Sequence, residues 1–116
     1  MKLYFYHLSQ PLGEKPRIEV EECEVEEKPR TYKAVDKFPR FYIETYVKKE
    51  NIGKINDDTI ILTERDSEKA VLIFKEKLYN DIEWNHNRIK NLRKEIERLY
   101  NFLNVVDDWR LENETH

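Results

Sequence analysis

The spacing of apolar positions changes once along this chain. Before residue 64 the apolar residues sit in short clusters, often two apart, separated by Pro, Asn, Asp and Gly. After Ser67 they recur three and four apart. Leu78, Ile82, Asn85, Ile89, Leu92, Ile96, Leu99, Leu103 and Val106 follow one another at alternating intervals of 4 and 3. All but Asn85 are apolar, and most residues between them are charged or amide. That interval keeps a narrow seam on one side of a long helix, and such a seam ordinarily meets a partner.

The first part reads as strands. Leu3, Tyr4, Phe5 and Tyr6 predict a strand over 2–8, and Gln10-Pro11-Leu12-Gly13 a turn. Ile18 and Val20 alternate with glutamates, but Cys23 and Val25 continue on the opposite parity. One face can hold both pairs only if the strand bulges or bends near Glu21-Glu22. Pro16 and Pro29 at its ends, with charges along it, mark it as an edge strand. Further strands are expected over 31–35, 41–47 and 59–63. A helical turn over 48–53 should end at Gly53, and Asn56-Asp57-Asp58 should turn.

Asp66 or Ser67 can cap the helix, with Glu68 in its first turn where the dipole favours an acid. Ala70, Val71, Phe74 and Leu78 form a stripe wide enough to lie on a sheet. Continuous from Ser67 to about Asn104, the helix would be roughly 57 Å long. Its weak point is Asn80-Asp81 and Trp84-Asn85-His86-Asn87, poor helix formers where the chain could fold back as a hairpin. The expected class is α+β: a small, mostly antiparallel sheet of four or five strands, then one long helix that forms a coiled coil. Residues 1–66 would be the β-rich domain, 67–106 the helix and 107–116 a polar, fraying tail.

With Ile82 at heptad position a, Ile82, Ile89, Ile96 and Leu103 occupy a, and Leu78, Asn85, Leu92, Leu99 and Val106 occupy d. Ile at a with Leu at d favours two parallel strands, and Asn85 would fix the register. The flanking charges leave orientation open. A parallel pair sets Arg88 against Arg93. An antiparallel pair lets Arg88 meet Glu95 but brings Arg93 near its own copy. The leading expectation is a homodimer through Ile82, Asn85, Ile89, Leu92, Ile96, Leu99 and Leu103. The alternatives are packing of this helix on its own sheet and insertion into a groove of another protein.

Composition narrows the function. Charged residues are 39% of the chain and apolar ones also 39%. The core must therefore be small, and association would bury more apolar surface. With 21 basic and 24 acidic side chains the net charge is −3, the footprint neither of a dedicated nucleic-acid binder nor of an acidic tail. A single cysteine, Cys23, rules out an internal disulfide and fits a reducing compartment. No signal-peptide core or membrane-spanning run is read, so a cytoplasmic protein without a membrane partner is expected.

Glu19, Glu21, Glu22, Glu24 and Glu26, with Glu27, crowd into nine residues. They are the candidate partner-binding residues, either imitating a row of phosphates for a basic groove or simply solvating an edge strand. Lys33, Arg40 and Tyr42, with Arg88, Arg93 and Lys94 on the helix, are the alternative set, able to hold nucleic acid by charge and stacking. The chain has no HExxH, no CxxC and no Gly-rich phosphate loop. Cys23 among glutamates would have a raised pKa. No enzyme activity, metal or cofactor is expected.

The segments Lys28-Pro29-Arg30-Thr31-Tyr32-Lys33-Ala34-Val35, Val47-Lys48-Lys49-Glu50-Asn51-Ile52-Gly53-Lys54-Ile55 and Leu62-Thr63-Glu64-Arg65-Asp66-Ser67-Glu68-Lys69-Ala70 come in this order ahead of a charged helix. Over residues 28–100 the chain resembles short accessory proteins of phages and prophages in low-GC Gram-positive bacteria. The resemblance implies a protein made in the host cytoplasm that binds and modulates a host protein, defence nucleases included. The expected function is thus a non-enzymatic interaction module, a phage-encoded modulator or inhibitor acting as a homodimer. The alternative is a nucleic-acid-binding accessory protein.

Overall fold

In a computed structural model that describes residues 1–114, six strands precede one helix. They are β1 (Lys2–Ser9), β2 (Arg17–Glu27), β3 (Thr31–Ala34), β4 (Val47–Lys48), β5 (Ile55–Asn56) and β6 (Thr59–Leu62), followed by α1 (Ser67–Glu114). Every pairing is antiparallel, in the order β4-β3-β2-β1-β6-β5. The chain is α+β, with a sheet of six strands rather than four or five. Residues Met1–Lys77 form one compact unit, and the helical stretch from Leu78 onward forms another. The division lies inside α1, because the first turns of the helix belong to the core.

The parity change in β2 has no bulge behind it. β1 and β2 pair residue for residue from Lys2 opposite Glu24 to Ser9 opposite Arg17. The two faces of the strand differ instead: Cys23 and Val25 are buried on one, while Ile18 and Val20 stay exposed on the other. Cys23 and Val25 join Leu3, Phe5, Tyr32, Val47 and Ile61 on the first. Ile18 and Val20, opposite Leu8 and Tyr6, lie on the second face, where Tyr6, Ile60, Leu62, Ala70 and Phe74 are buried together. Nor is β2 an outer strand of the sheet. Val25, Glu26 and Glu27 pair with β3, and only its N-terminal part has a single neighbour.

The expected strand over 41–47 is replaced by a covering loop. Only Val47 and Lys48 pair, with Tyr32 and Thr31. Ahead of them Phe38, Phe41 and Tyr42 pack their rings on Phe5 at centroid distances of 5.8, 6.4 and 5.4 Å. The Tyr42 amide donates to the Pro39 carbonyl in a turn. Aromatic residues favour strands mainly because they pack on half-buried surfaces, and here they find that surface face-on. His7, from the same side of β1, stacks on Phe41 and hydrogen-bonds Thr59 at 2.8 Å.

Turn chemistry follows the sequence more closely. Lys49–Asn51 is a 3₁₀ turn, and Gly53 has φ +77° while its amide donates to Ile61. Nothing lies within 4 Å of a Cβ built there, so glycine is favoured by backbone conformation, not by space. Asp57 and Asp58, both with positive φ, form the two-residue loop between β5 and β6, as the twist of a tight hairpin demands. Asp66 caps α1, its carboxylate accepting from the Lys69 amide at 3.0 Å.

Ala70 and Phe74 are buried and Ile73 is half-buried, so the packed stripe is narrower than expected; Val71 and Leu78 are exposed. The helix crosses Asn80–Asn87 unbroken and continues through 107–114, where a fraying tail was expected. Its 48 residues make it about 72 Å long. No helix among the described residues is long and apolar enough to cross a membrane.

The Tyr6 hydroxyl is buried in the second core without a hydrogen-bond partner among the described residues. A buried hydroxyl left unpaired costs about 1–3 kcal/mol. Tyr6→Phe is therefore expected to keep or raise the melting temperature. A drop of several degrees in a calorimetric melt would show that the hydroxyl is bonded after all.

Candidate functional site

The seam residues all lie on α1, and helix geometry alone aligns them. Ile82, Ile89, Leu92, Ile96, Leu99 and Leu103 are each between 46% and 56% exposed, and Asn85 is exposed. Every residue from Leu78 to Glu114 is exposed. Half exposure is what a lone helix gives an aliphatic side chain in its own groove; the other half is available to a second surface. Toward the C-terminal end the stripe widens. Tyr100 at position e and Phe102 and Trp109 at position g join Leu103 and Val106, and all are exposed. This widening was not singled out from the sequence, although the residues were legible there.

The charges beside the seam are partly organised. Glu95 and Arg98 pair along the helix, and that hydrogen bond holds the Glu95 carboxyl below its usual range. The Arg88 guanidinium lies 5.4 Å from the Trp84 ring and that of Arg98 5.3 Å from the Phe102 ring.

The acidic candidates are less available. Glu19 pairs with Arg17 at 3.1 Å, and Glu22 with Lys2 at 3.1 Å and Arg65 at 3.4 Å. Glu24 accepts from the N-terminal ammonium at 2.7 Å, a bond that lowers its pKa. Glu26 pairs with Lys28 and Glu27 with Lys49. Glu21 alone has no ion-pair partner among the described residues. Strand alternation divides the run, with Glu19 and Glu21 on the Cys23 face and Glu22, Glu24 and Glu26 on the other. A row of neutralised carboxylates split between two faces is a poor imitation of a phosphate strand.

The basic and aromatic set is divided as well. Lys33, Arg40 and Tyr42 belong to the sheet unit, and Arg88, Arg93 and Lys94 to the helical one. The Tyr42 ring meets Phe5 and Phe38 edge-on, and its hydroxyl donates to the Tyr46 carbonyl at 2.7 Å. Burial pushes its pKa up to about 12. That ring is part of the core cover and is not presented for base stacking. The more open aromatic ground lies at the β4 edge. There Arg30, Tyr46, Lys48 and Lys49 line a groove of about 550 Å³, and the Lys49 ammonium lies over the Tyr32 ring.

Cys23 is buried, and its thiol donates to the Lys37 carbonyl at 3.3 Å. Burial first, then the carboxylates of Glu24, Asp36 and Glu21, raise its pKa, in the direction read from the sequence. At pH 7.5 the thiol is expected to resist iodoacetamide in the folded protein and to react promptly in denaturant. Equal rates in both conditions, followed by mass spectrometry, would contradict its burial. Compared with protein-family models, with curated proteins and with solved structures, the chain has no match.

Proposed function

We propose that this chain is a non-enzymatic interaction module that pairs through α1 and carries its sheet unit twice, as a phage-encoded modulator or inhibitor of a host protein. The observation that carries the pairing is the seam from Ile82 to Leu103, apolar at every position but Asn85 and half exposed throughout. Most helical stability in proteins comes from packing of an apolar face, and a second copy supplies that packing to the stretch beyond Leu78. The role as a modulator draws on the resemblance over residues 28–100. Of the two contact surfaces offered by the sheet unit, the β4 edge is favoured over the acidic strand. The carboxylates of that strand are mostly paired, whereas Tyr46, Lys48 and Arg30 are exposed around the groove.

The test begins with sedimentation equilibrium of the full chain, expected to give twice the 14.3 kDa chain mass. Affinity capture from host lysate, with and without nuclease, then separates the classes of partner. A stoichiometric host protein retained after nuclease supports the modulator. Recovery that disappears with nuclease, together with binding whose logarithm falls steeply with the logarithm of salt, would replace it with a nucleic-acid binder.

A further inference from the structure

Resting on the homodimer just proposed, we propose further that the two copies of α1 pair antiparallel, in the register that sets Ile96 of one chain against Leu99 of the second copy. In an antiparallel coiled coil each a residue faces a d residue of the partner, g flanks g and e flanks e. Fixing Ile96 opposite Leu99 fixes every other layer. Ile89 then meets Val106 and Leu92 meets Leu103, each twice, giving six consecutive apolar layers. The next layer outward sets Asn85 against Arg110, so these two polar residues, at d and a, fall together at each end. Ile82 then lies against Asn113, whose side-chain amide already donates to the Trp109 carbonyl.

Six apolar layers with no like charges opposed at their edges select this register. Along the e edges Arg93 faces Tyr100 and His86 faces Asp107; along the g edges Arg88 faces Trp109 and Glu95 faces Phe102. Cations meet aromatic faces or a carboxylate, and no like charges are opposed. The competing arrangements each carry a conflict. Parallel pairing sets Arg88 beside Arg93 on both edges and stacks Arg110 on its own copy at an a layer. Sliding the antiparallel pair by one heptad, so that Ile89 meets Leu99, opposes Arg93 to Arg93 and Glu95 to Glu95 and places Asn85 on Leu103. Sliding it by two gains the Arg88–Glu95 pair but opposes His86 to Arg93 and buries Asn85 against Ile96. The sequence-level picture of Arg88 meeting Glu95 while Arg93 nears its own copy thus joined two different registers.

This register also accounts for the aromatic widening of the stripe. Phe102, Trp109 and Tyr100 each cover the edge of the six-layer core on the partner helix. The two chains enter the paired segment from opposite ends, with their Leu78 positions about 58 Å apart at 1.5 Å per residue.

Full-length chains carrying Cys23→Ala and one of Ile89→Cys, Leu99→Cys or Val106→Cys, mixed in pairs and mildly oxidised, test the register. The mixture of the Ile89 and Val106 variants should give the heterodimeric disulfide as its main product, and each variant alone should stay largely unlinked. In the proposed register, identical positions at 89 or at 106 lie about 26 Å apart. Self-linked Ile89→Cys would overturn the orientation and leave the homodimer standing. An Ile89–Leu99 link would overturn the register alone. A monomeric mass for the unmodified chain would overturn the homodimer and this proposal together. A nitroxide at exposed Asn80, in the Cys23→Ala background, avoids disturbing the seam. Its copies should be separated by about 52 Å, and a separation within roughly 20 Å, as in side-by-side parallel helices, would overturn the proposal.

Discussion

Ile89→Asp combined with Ile96→Asp is expected to turn the dimer into a monomer at every concentration reachable by sedimentation. Both residues are half exposed on the isolated helix, so neither substitution removes a contact that holds the single chain together. Four isoleucines leave the paired interface, two from each chain. Each is already about half covered by its own helix, so pairing gains about 1 kcal/mol of transfer energy each, and the loss is on the order of 4 kcal/mol, about a thousandfold in affinity. The carboxylates that replace them would also be buried without partners. Far-UV circular dichroism should lose helical signal in parallel, because the stretch from Leu78 onward loses the packing that sustains it. The thermal transition of the Met1–Lys77 unit should be unchanged. Lys90→Asp with Glu97→Asp, both off the seam at position b, should leave the mass as it was. An unchanged mass for the seam variant would mean that the seam is not the interface, and the interaction module would need another surface.

That expectation could be framed from sequence because a heptad is local information. The period of three and four survives any tertiary arrangement, and so did the cap at Asp66, the turn at Asp57-Asp58 and the left-handed Gly53, although the short helix itself ends two residues earlier, at Asn51. The sequence fails where distant residues decide. Ile18, Val20, Cys23 and Val25 were correctly seen to change parity, but a bulge is only one way to reconcile them. The other is to bury one pair alone: Cys23 and Val25 lie on the face that Phe38, Phe41 and Tyr42 cover by folding back over Phe5 from a distant loop, and Ile18 and Val20 stay exposed. The same three rings account for the missing strand over 41–47.

The candidate site divides along the same line. The helix seam is read almost completely from spacing. The acidic strand is only partly so, since beside the local partners Arg17 and Lys28 its cations come from the N-terminal ammonium, Lys2, Lys49 and Arg65, distant in sequence. Tyr42 looked available because a tyrosine among lysines and arginines suggests stacking. Only the fold shows its ring committed to the core and its hydroxyl to Tyr46.

Phe74→Ala is expected to be the most damaging single truncation on α1, while Val71→Ala, three positions earlier, should be nearly silent. Periodicity placed both on the stripe that meets the sheet; the structure leaves Phe74 only 3% exposed and Val71 37%. Phe74 fills the second core with Tyr6, Ile60, Leu62 and Ala70, and removing such a ring costs about 3–5 kcal/mol through lost transfer energy and the cavity left behind. For a compact unit of this size each kcal/mol moves the melting temperature by about 4–8 °C, so the transition should fall by at least about 12 °C. The loss is comparable with the whole stability of a small domain. Phe74→Leu therefore accompanies it as a milder variant, expected to fold and to melt between the wild type and the alanine form. Val71→Ala should cost less than about 1 kcal/mol. Reversal of that order, with Val71→Ala the costlier change in a calorimetric melt, would mean that the helix is rotated on the sheet. The face of α1 assigned to the core would then have to be redrawn.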